Sequence, residues 1–195
     1  LLASATPICA QQLSRITAST DHIYLGPLHP VDIEPTALAT LKDVHRVSVD
    51  IQGYSRRIRD GKVHKEVSEH LPLCLECADV VKASCDETEA VEAFFGQSLG
   101  AIMEQFGIDQ WLTTDGENGG WLLDYATGRH DFDVVPVADV KDSTGAGDVF
   151  FAAYLTHYVY RDAGIHEALR RAAAHAASQV GGQFIIADEL SRDAD

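Results

Sequence analysis

The run Asp142-Ser143-Thr144-Gly145-Ala146-Gly147-Asp148, followed at once by an apolar stretch, limits this chain more than any other segment. From Val149 the chain reads Val-Phe-Phe-Ala-Ala-Tyr-Leu-Thr-His-Tyr-Val-Tyr, with no Gly or Pro until Gly164. That length makes four helical turns, and apolar residues nearly all round predict a buried helix over 146–161. The preceding Phe132-Asp-Val-Val-Pro-Val137 reads as a strand within 130–137. A strand, a two-glycine turn and a buried helix form an anion site. Glycines let a phosphate approach the backbone, and the unpaired N–H groups and positive dipole end of the helix point at it. Asp148 in the first turn can accept a proton from an attacking hydroxyl.

Other phosphate motifs are absent. No Gly-x-x-x-x-Gly-Lys-Ser/Thr occurs, and Phe150 stands where a dinucleotide fingerprint needs its third glycine. The rest of the chain alternates strand and helix. Strands are expected at 22–26, 46–51, 78–83, 109–114, 120–125 and 130–137, and helices at 35–43, 66–76, 87–95, 97–106, 146–161 and 165–180. Such βα units imply a mostly parallel sheet with helices on both faces. A hairpin around Ala126-Thr127-Gly128-Arg129 is expected at its edge, and Ser191–Asp195 is expected to fray.

The heptad is similar to the C-terminal signature of the PfkB (ribokinase-like) carbohydrate kinases. The resemblance implies an α/β fold, a three-layer αβα sandwich with a mostly parallel sheet. It implies ATP-dependent phosphorylation of a hydroxyl on a sugar or related small polyol by direct in-line transfer. Gly145, Ala146 and Gly147 correspond to the family's anion hole and Asp148 to its catalytic base. Asp142 and Thr144 resemble positions that shape a monovalent-cation (K+) site. Thr114, Gly116 and Gly119, in Thr114-Asp-Gly-Glu-Asn-Gly119, match a Thr-x-Gly-x-x-Gly turn that contacts nucleotide phosphates. On its own that stretch reads as a turn between two strands.

Two further elements leave alternatives open. The family often carries an Asn-x-x-Glu whose Glu helps organise Mg2+. Asp86 and Glu89 fit that spacing, and Ser84 and Glu87 fit it equally well. Both sets also suit an ordinary helix start with acidic residues in its first turn. Asp50, Gln52 and Arg56 form a stretched version of an Asp-x-Asn-x-Arg-like sequence near the family's substrate, in wording similar to inositol-kinase-like members. Arg can fork two donors onto an oxyanion, but Asp50 and Gln52 equally read as a strand cap with Arg56 solvated. His175, near the family's adenine-side helix, reads as a helix-face residue.

Family members are longer at the N-terminal side, so the resemblance covers the C-terminal two-thirds of their domain, and 1–195 reads as a single ribokinase-like domain lacking its N-terminal part and lid. Either that part is missing only from this stretch of sequence, or the protein is a reduced member, which would expose a sheet edge and need a partner to cover it; a homodimer is a separate expectation. The alternative reading is a nucleotide-binding regulatory member of the fold that has lost catalysis.

Net charge is −15, with 46% hydrophobic and 23% charged residues. This argues against nucleic acid and anionic membranes as partners, but not against ATP, since backbone amides and a metal supply local positive potential. Cys74-Leu-Glu-Cys77 lacks the second pair of a zinc site. The four cysteines therefore read as small hydrophobes in a reducing cytoplasm. No signal-peptide pattern or 18-residue apolar run occurs.

Overall fold

A computed structural model describes residues 6–42, 45–59 and 62–183. The elements in chain order are α1 (Ala10–Thr17), β1 (His22–Leu25), α2 (Pro35–Leu38), β2 (Arg46–Asp50) and a 3₁₀ turn (Ile51–Ser55). Then come β3 (Arg56–Arg59), β4 (Lys62–Lys65), α3 (Leu71–Leu75), β5 (Val80–Ser84), α4 (Cys85–Phe95) and α5 (Leu99–Phe106). The chain continues with β6 (Gln110–Thr114), a 3₁₀ turn (Gly116–Asn118), β7 (Gly120–Asp124) and β8 (Gly128–Phe132). Last are α6 (Ala146–Leu155), a π segment (Thr156–Tyr160) and α7 (Ile165–Val180). Six strands form one sheet in the order β1-β2-β5-β6-β7-β8, and β3 and β4 form a separate antiparallel ribbon. The pairs β1–β2, β2–β5 and β5–β6 are parallel.

The chain divides into two compact units. One comprises residues 1–115 and 121–129, the other 116–120 and 130–195. In the first, β2, β5 and β6 are buried along almost their whole length, as parallel strands covered on both faces must be. Val47, Val49, Val81, Ala83 and Trp111 meet Leu38, Leu71, Leu75, Val91 and Ile102 in one apolar cluster. Thr88 of α4 accepts from the Trp111 indole at 3.2 Å and shares a proton with Thr113 at 3.1 Å, fixing that helix on β6. In the second unit, α6 buries Phe150, Phe151, Tyr154 and Leu155, and α7 buries Ala168, Leu169, Ala172 and Ala173. Phe132 stacks on Phe150.

The expected strands and long helices are present, with instructive differences. The helix expected over 66–76 shrinks to Leu71–Leu75. Glu66 N–H donates to the Ser55 carbonyl and Ser68 N–H to that of Tyr54, so long-range pairing claims the backbone first. The strand expected over 130–137 ends at Phe132; Pro136 offers no N–H to extend a ladder. The helix expected over 35–43 is Pro35–Leu38, with residue 43 outside the described residues. The helix over 146–161 changes to a π segment at Thr156. Helix α1 and the β3–β4 ribbon are not among the expected elements. The ribbon's signal is Asp60-Gly61 between short runs, but its opposed Arg and Lys residues obscure the alternation. The 191–195 tail lies outside the described residues. The hairpin after β7 is present: Asp124 accepts from the N–H groups of Ala126 and Thr127, and from the Thr127 hydroxyl. Cys74 and Cys77 are buried free thiols, while Cys9 and Cys85 are half-buried. No described helix is long and apolar enough to cross a membrane.

His22 in β1 is buried, its Nε2 2.8 Å from the Ser48 hydroxyl. Burial, aided by the charge of Arg46, lowers its pKa below the ordinary 6.5. The unfolded chain therefore binds the proton first, and stability is lost as pH falls from that value towards the folded pKa. Burial lowers His157 in the same way. Denaturant titrations across this range should show stability falling with pH, and less steeply in His22→Gln. An unchanged slope would remove His22 from this account.

Candidate active site

The carboxyl ends of the central parallel strands carry the first group of candidate residues. Register sets Asp50 of β2 opposite Lys82 of β5, and Ser84 of β5 opposite Thr114 of β6. In open α/β sheets this is the edge where ligands bind. Lys82 Nζ donates to Asp50 Oδ2 at 2.7 Å, with side-chain exposures of 7% and 3%. Asp50 Oδ1 accepts the Gln52 N–H at 2.9 Å and so starts the 3₁₀ turn over Ile51–Ser55. Burial pushes the Asp50 carboxyl above its ordinary range. The Lys82 ammonium and the Gln52 N–H oppose that rise, and the charge of Glu87 adds to it.

Glu87 reaches the same edge. It accepts from Ser84 N–H at 2.8 Å and from the Ser55 hydroxyl at 2.9 Å, while Ser84 Oγ accepts the Glu87 N–H, closing a capping box. Asp86 points elsewhere: its carboxylate is exposed and ion-paired with Lys65. Glu89 is also exposed. Of the two carboxylate sets left open by the sequence, Ser84 with Glu87 therefore joins Asp50 and Lys82, whereas Asp86 with Glu89 does not. Among the described residues no three His, Cys, Asp or Glu side chains converge as a metal cage. Mg2+ bound through one carboxylate, waters and phosphates needs no cage. Arg56 opens β3 opposite Lys65 and is half-buried. Lys82 is the residue that sequence reasoning missed. Its signal is a lysine inside an otherwise apolar strand.

The second group lies in the other unit. Gly145 takes a left-handed conformation (φ 76°) and turns the chain into α6, which has no side-chain cap. A Cβ on Gly145 would meet open space, while the Ala146 N–H donates to the Ser143 carbonyl at 3.2 Å. Asp142 Oδ1 accepts the Thr144 N–H at 2.8 Å, and that bond, with one to the Thr144 hydroxyl, holds the Asp142 carboxyl below its usual range. Gln179 of α7 donates to the Thr144 carbonyl at 3.3 Å, and Lys141 N–H donates to the Val180 carbonyl, so the end of α7 braces the loop. Asp148 is exposed in the first turn of α6. The helix start has no side-chain cap, open space lies beyond Gly145, and the Asp148 carboxylate stands in the same turn. His175 lies on α7, its ring stacked on that of His157.

Gly116 and Gly119 also belong to the second unit. Gly119 has φ 83°, and a Cβ there would lie 2.3 Å from the Phe132 carbonyl oxygen; at Gly116 (φ 53°) a Cβ would meet nothing. Thr114 ends β6 in the first unit.

A family model described as pfkB family carbohydrate kinase matches residues 2–186. Among solved structures, a pyrophosphate-dependent kinase in the ribokinase family, complexed with a pyrophosphate analog and myo-inositol, covers 98% of this chain and 69% of its own, at 21% identity and TM-score 0.79. Ribokinase from Thermotoga maritima covers 91% of this chain and 58% of its own, at 18% and 0.66. Adenosine kinase from Schistosoma mansoni, in complex with 2-fluoroadenosine, covers 92% and 57%, at 15% and 0.69. At these identities the likeness is one of fold: a mixed, mostly parallel sheet flanked by helices. The chain spans 57% to 69% of the length of these three structures. No curated protein sequence matches it.

Two predictions concern stability. Lys82→Met strands a buried carboxylate and should cost about 3–5 kcal/mol, much of it recovered in Lys82→Met/Asp50→Leu, by chemical denaturation. A double variant no more stable than the single would refute the charge argument. Gly116→Ala should cost about 1–2 kcal/mol for its left-handed backbone, and Gly119→Ala clearly more, because the Phe132 carbonyl must also move. Equal losses in thermal unfolding would refute the close approach.

Proposed function

The chain belongs to the pfkB family of carbohydrate kinases, and from that premise we propose that it transfers a phosphoryl group from ATP to a hydroxyl of a sugar or related small polyol. The observation that carries this reading is the start of α6: an uncapped helix end, room beyond Gly145 and the exposed Asp148 carboxylate in one turn.

In this reading Asp148 accepts the proton of the acceptor hydroxyl as that oxygen attacks the terminal phosphorus in line. The amides of Gly145 and Gly147, and that of Ala146 once it leaves the Ser143 carbonyl, donate to the oxygens of the transferring group, where charge develops. The loop is held ready by Asp142, Thr144 and Gln179, so little reorganisation accompanies transfer. Thr114, Gly116 and Gly119 form the turn proposed to contact the donor phosphates. Asp142 and Thr144 are proposed to border a monovalent-cation (K+) site. Asp50, Gln52 and Arg56 are proposed to orient the acceptor, with Lys82 holding Asp50 in place. Mg2+, when bound, neutralises donor-phosphate charge. Of the carboxylates considered for it, Glu87 lies on the strand edge with Asp50 and Lys82, whereas Asp86 would first have to leave Lys65 and Glu89 is exposed. We propose that these parts act as one ribokinase-like domain in the cytoplasm, and as a homodimer.

The test is phosphoryl transfer to a panel of sugars and polyols including myo-inositol. ATP and pyrophosphate are supplied separately, because the neighbour bound to myo-inositol is pyrophosphate-dependent. Asp148→Asn should lower turnover by about 10²–10⁴-fold while donor binding, read by calorimetry, persists. Near-normal turnover in that variant would remove Asp148 as the base. Donor binding without transfer to any acceptor would favour a regulatory member of the fold, and transfer from pyrophosphate alone would replace ATP as donor.

A further inference from the structure

The β3–β4 ribbon concentrates positive charge in an acidic chain. Residues 56–65 hold five of the 15 Lys and Arg residues and one acid, Asp60, whereas the whole chain carries −15. Register makes the concentration costly: Arg56 stands opposite Lys65, and Arg59 opposite Lys62. Like charges directly opposite destabilise an antiparallel pair, and a two-stranded ribbon is marginal by itself. The ribbon is held at its base, where the Glu66 N–H donates to the Ser55 carbonyl and the Ser68 N–H to that of Tyr54. Ser55 in turn donates its hydroxyl to Glu87, so the ribbon springs from the strand edge that carries Asp50, Lys82 and Glu87.

Three cations here are matched by carboxylates. Lys82 holds Asp50, Lys65 is ion-paired with Asp86, and Arg57 donates to Glu66 at 2.8 Å. Arg56 differs. It is half-buried, and among the described residues its guanidinium has no carboxylate partner. Glu87 does not supply one: its Oε1 accepts from the Ser55 hydroxyl and its Oε2 from the Ser84 N–H. Residues directly opposite in a ribbon share a face. Lys65, opposite Arg56, reaches Asp86 in the first turn of α4, so Arg56 lies on the ribbon face turned to that helix.

We infer that the acceptor carries an oxyanion, a carboxylate or a phosphate monoester, in addition to the hydroxyl that is phosphorylated, and that Arg56 selects it. The inference rests on the reading of this strand edge as the acceptor side of a kinase. A guanidinium presents a planar fork of N–H donors that matches two oxygens of either group, and a fully hydroxylic acceptor leaves half of that match unused. An anion approaching a chain of net charge −15 is repelled overall. The ribbon cations reverse the sign of the field locally, beside Arg56, and so draw the anion to this edge.

The experiment titrates pairs of compounds that differ in charge, gluconate against sorbitol and myo-inositol 1-phosphate against myo-inositol, by calorimetry. The same four are then offered as acceptors with ATP and with pyrophosphate. At least one anion should bind about tenfold or more tightly than its neutral partner, the scale of a charge-assisted fork. Preference for gluconate identifies a sugar acid, and preference for the inositol phosphate identifies a phosphate monoester. Arg56→Gln should abolish the preference and leave the neutral compounds unaffected, and Arg56→Lys should keep part of it. Arg57→Gln, on the other ribbon face, should keep all of it. Melts matching the parent chain show that the variants fold; where Arg56→Gln does not match, Arg56→Met, which keeps the aliphatic stem, replaces it. Failure of both anions to bind, equal binding of charged and neutral partners, or a preference that survives loss of the guanidinium overturns the inference. Transfer to neutral polyols without anion preference overturns it and sustains the kinase reading. An Arg56-dependent anion preference without transfer to any of the four sustains Arg56 as the anion receptor and counts against the kinase reading.

Discussion

Two opposite charges buried 2.7 Å apart at the ends of β2 and β5 organise much of the first unit. Neither Asp50 nor Lys82 is tolerable alone so far from water, so each demands the other. Meeting that demand requires the parallel register that sets residue 50 against residue 82. A slip of one residue would turn the lysine to the opposite face and leave a carboxylate stranded. From that pair the consequences run outward. The free oxygen of Asp50 starts the 3₁₀ turn, and the turn presents Ser55 to Glu87. Glu87 in turn closes the start of α4.

The two units offer different means of handling charge. The first gathers side-chain charges, Asp50, Lys82 and Glu87, on a strand edge that packing makes rigid. The second relies on backbone: a glycine in a left-handed conformation, an uncapped helix end, and a loop braced by a glutamine. Amide dipoles serve where an anion must be held without a counter-ion that would bind it permanently.

The parts legible in the sequence are those written in short-range punctuation. Gly145, Gly147 and the apolar run after Asp148 mark the turn and the helix locally, and the structure places both there. The alternating βα pattern and the hairpin at Asp124–Gly128 are local in the same sense. The Lys82–Asp50 pair is not: its partners are 32 residues apart, and only sheet register brings them together. The choice between Glu87 and Asp86 is invisible for a related reason. Adjacent residues in a first helical turn look alike in sequence, and what separates them is that Ser55 lies near one and Lys65 near the other. The 66–70 segment failed as a helix because its N–H groups found carbonyls at Tyr54 and Ser55, a contact that no windowed pattern contains.

The π segment at Thr156–Tyr160 carries one residue more in its turn than an α-helix would. The inward phase of α6, set by Phe150, Phe151, Tyr154 and Leu155, therefore does not carry through it unchanged: His157 is buried, and Tyr158 stacks on Tyr154. When this chain is aligned with a relative whose helix runs on as plain α, the correct correspondence contains a single-residue gap inside the helix.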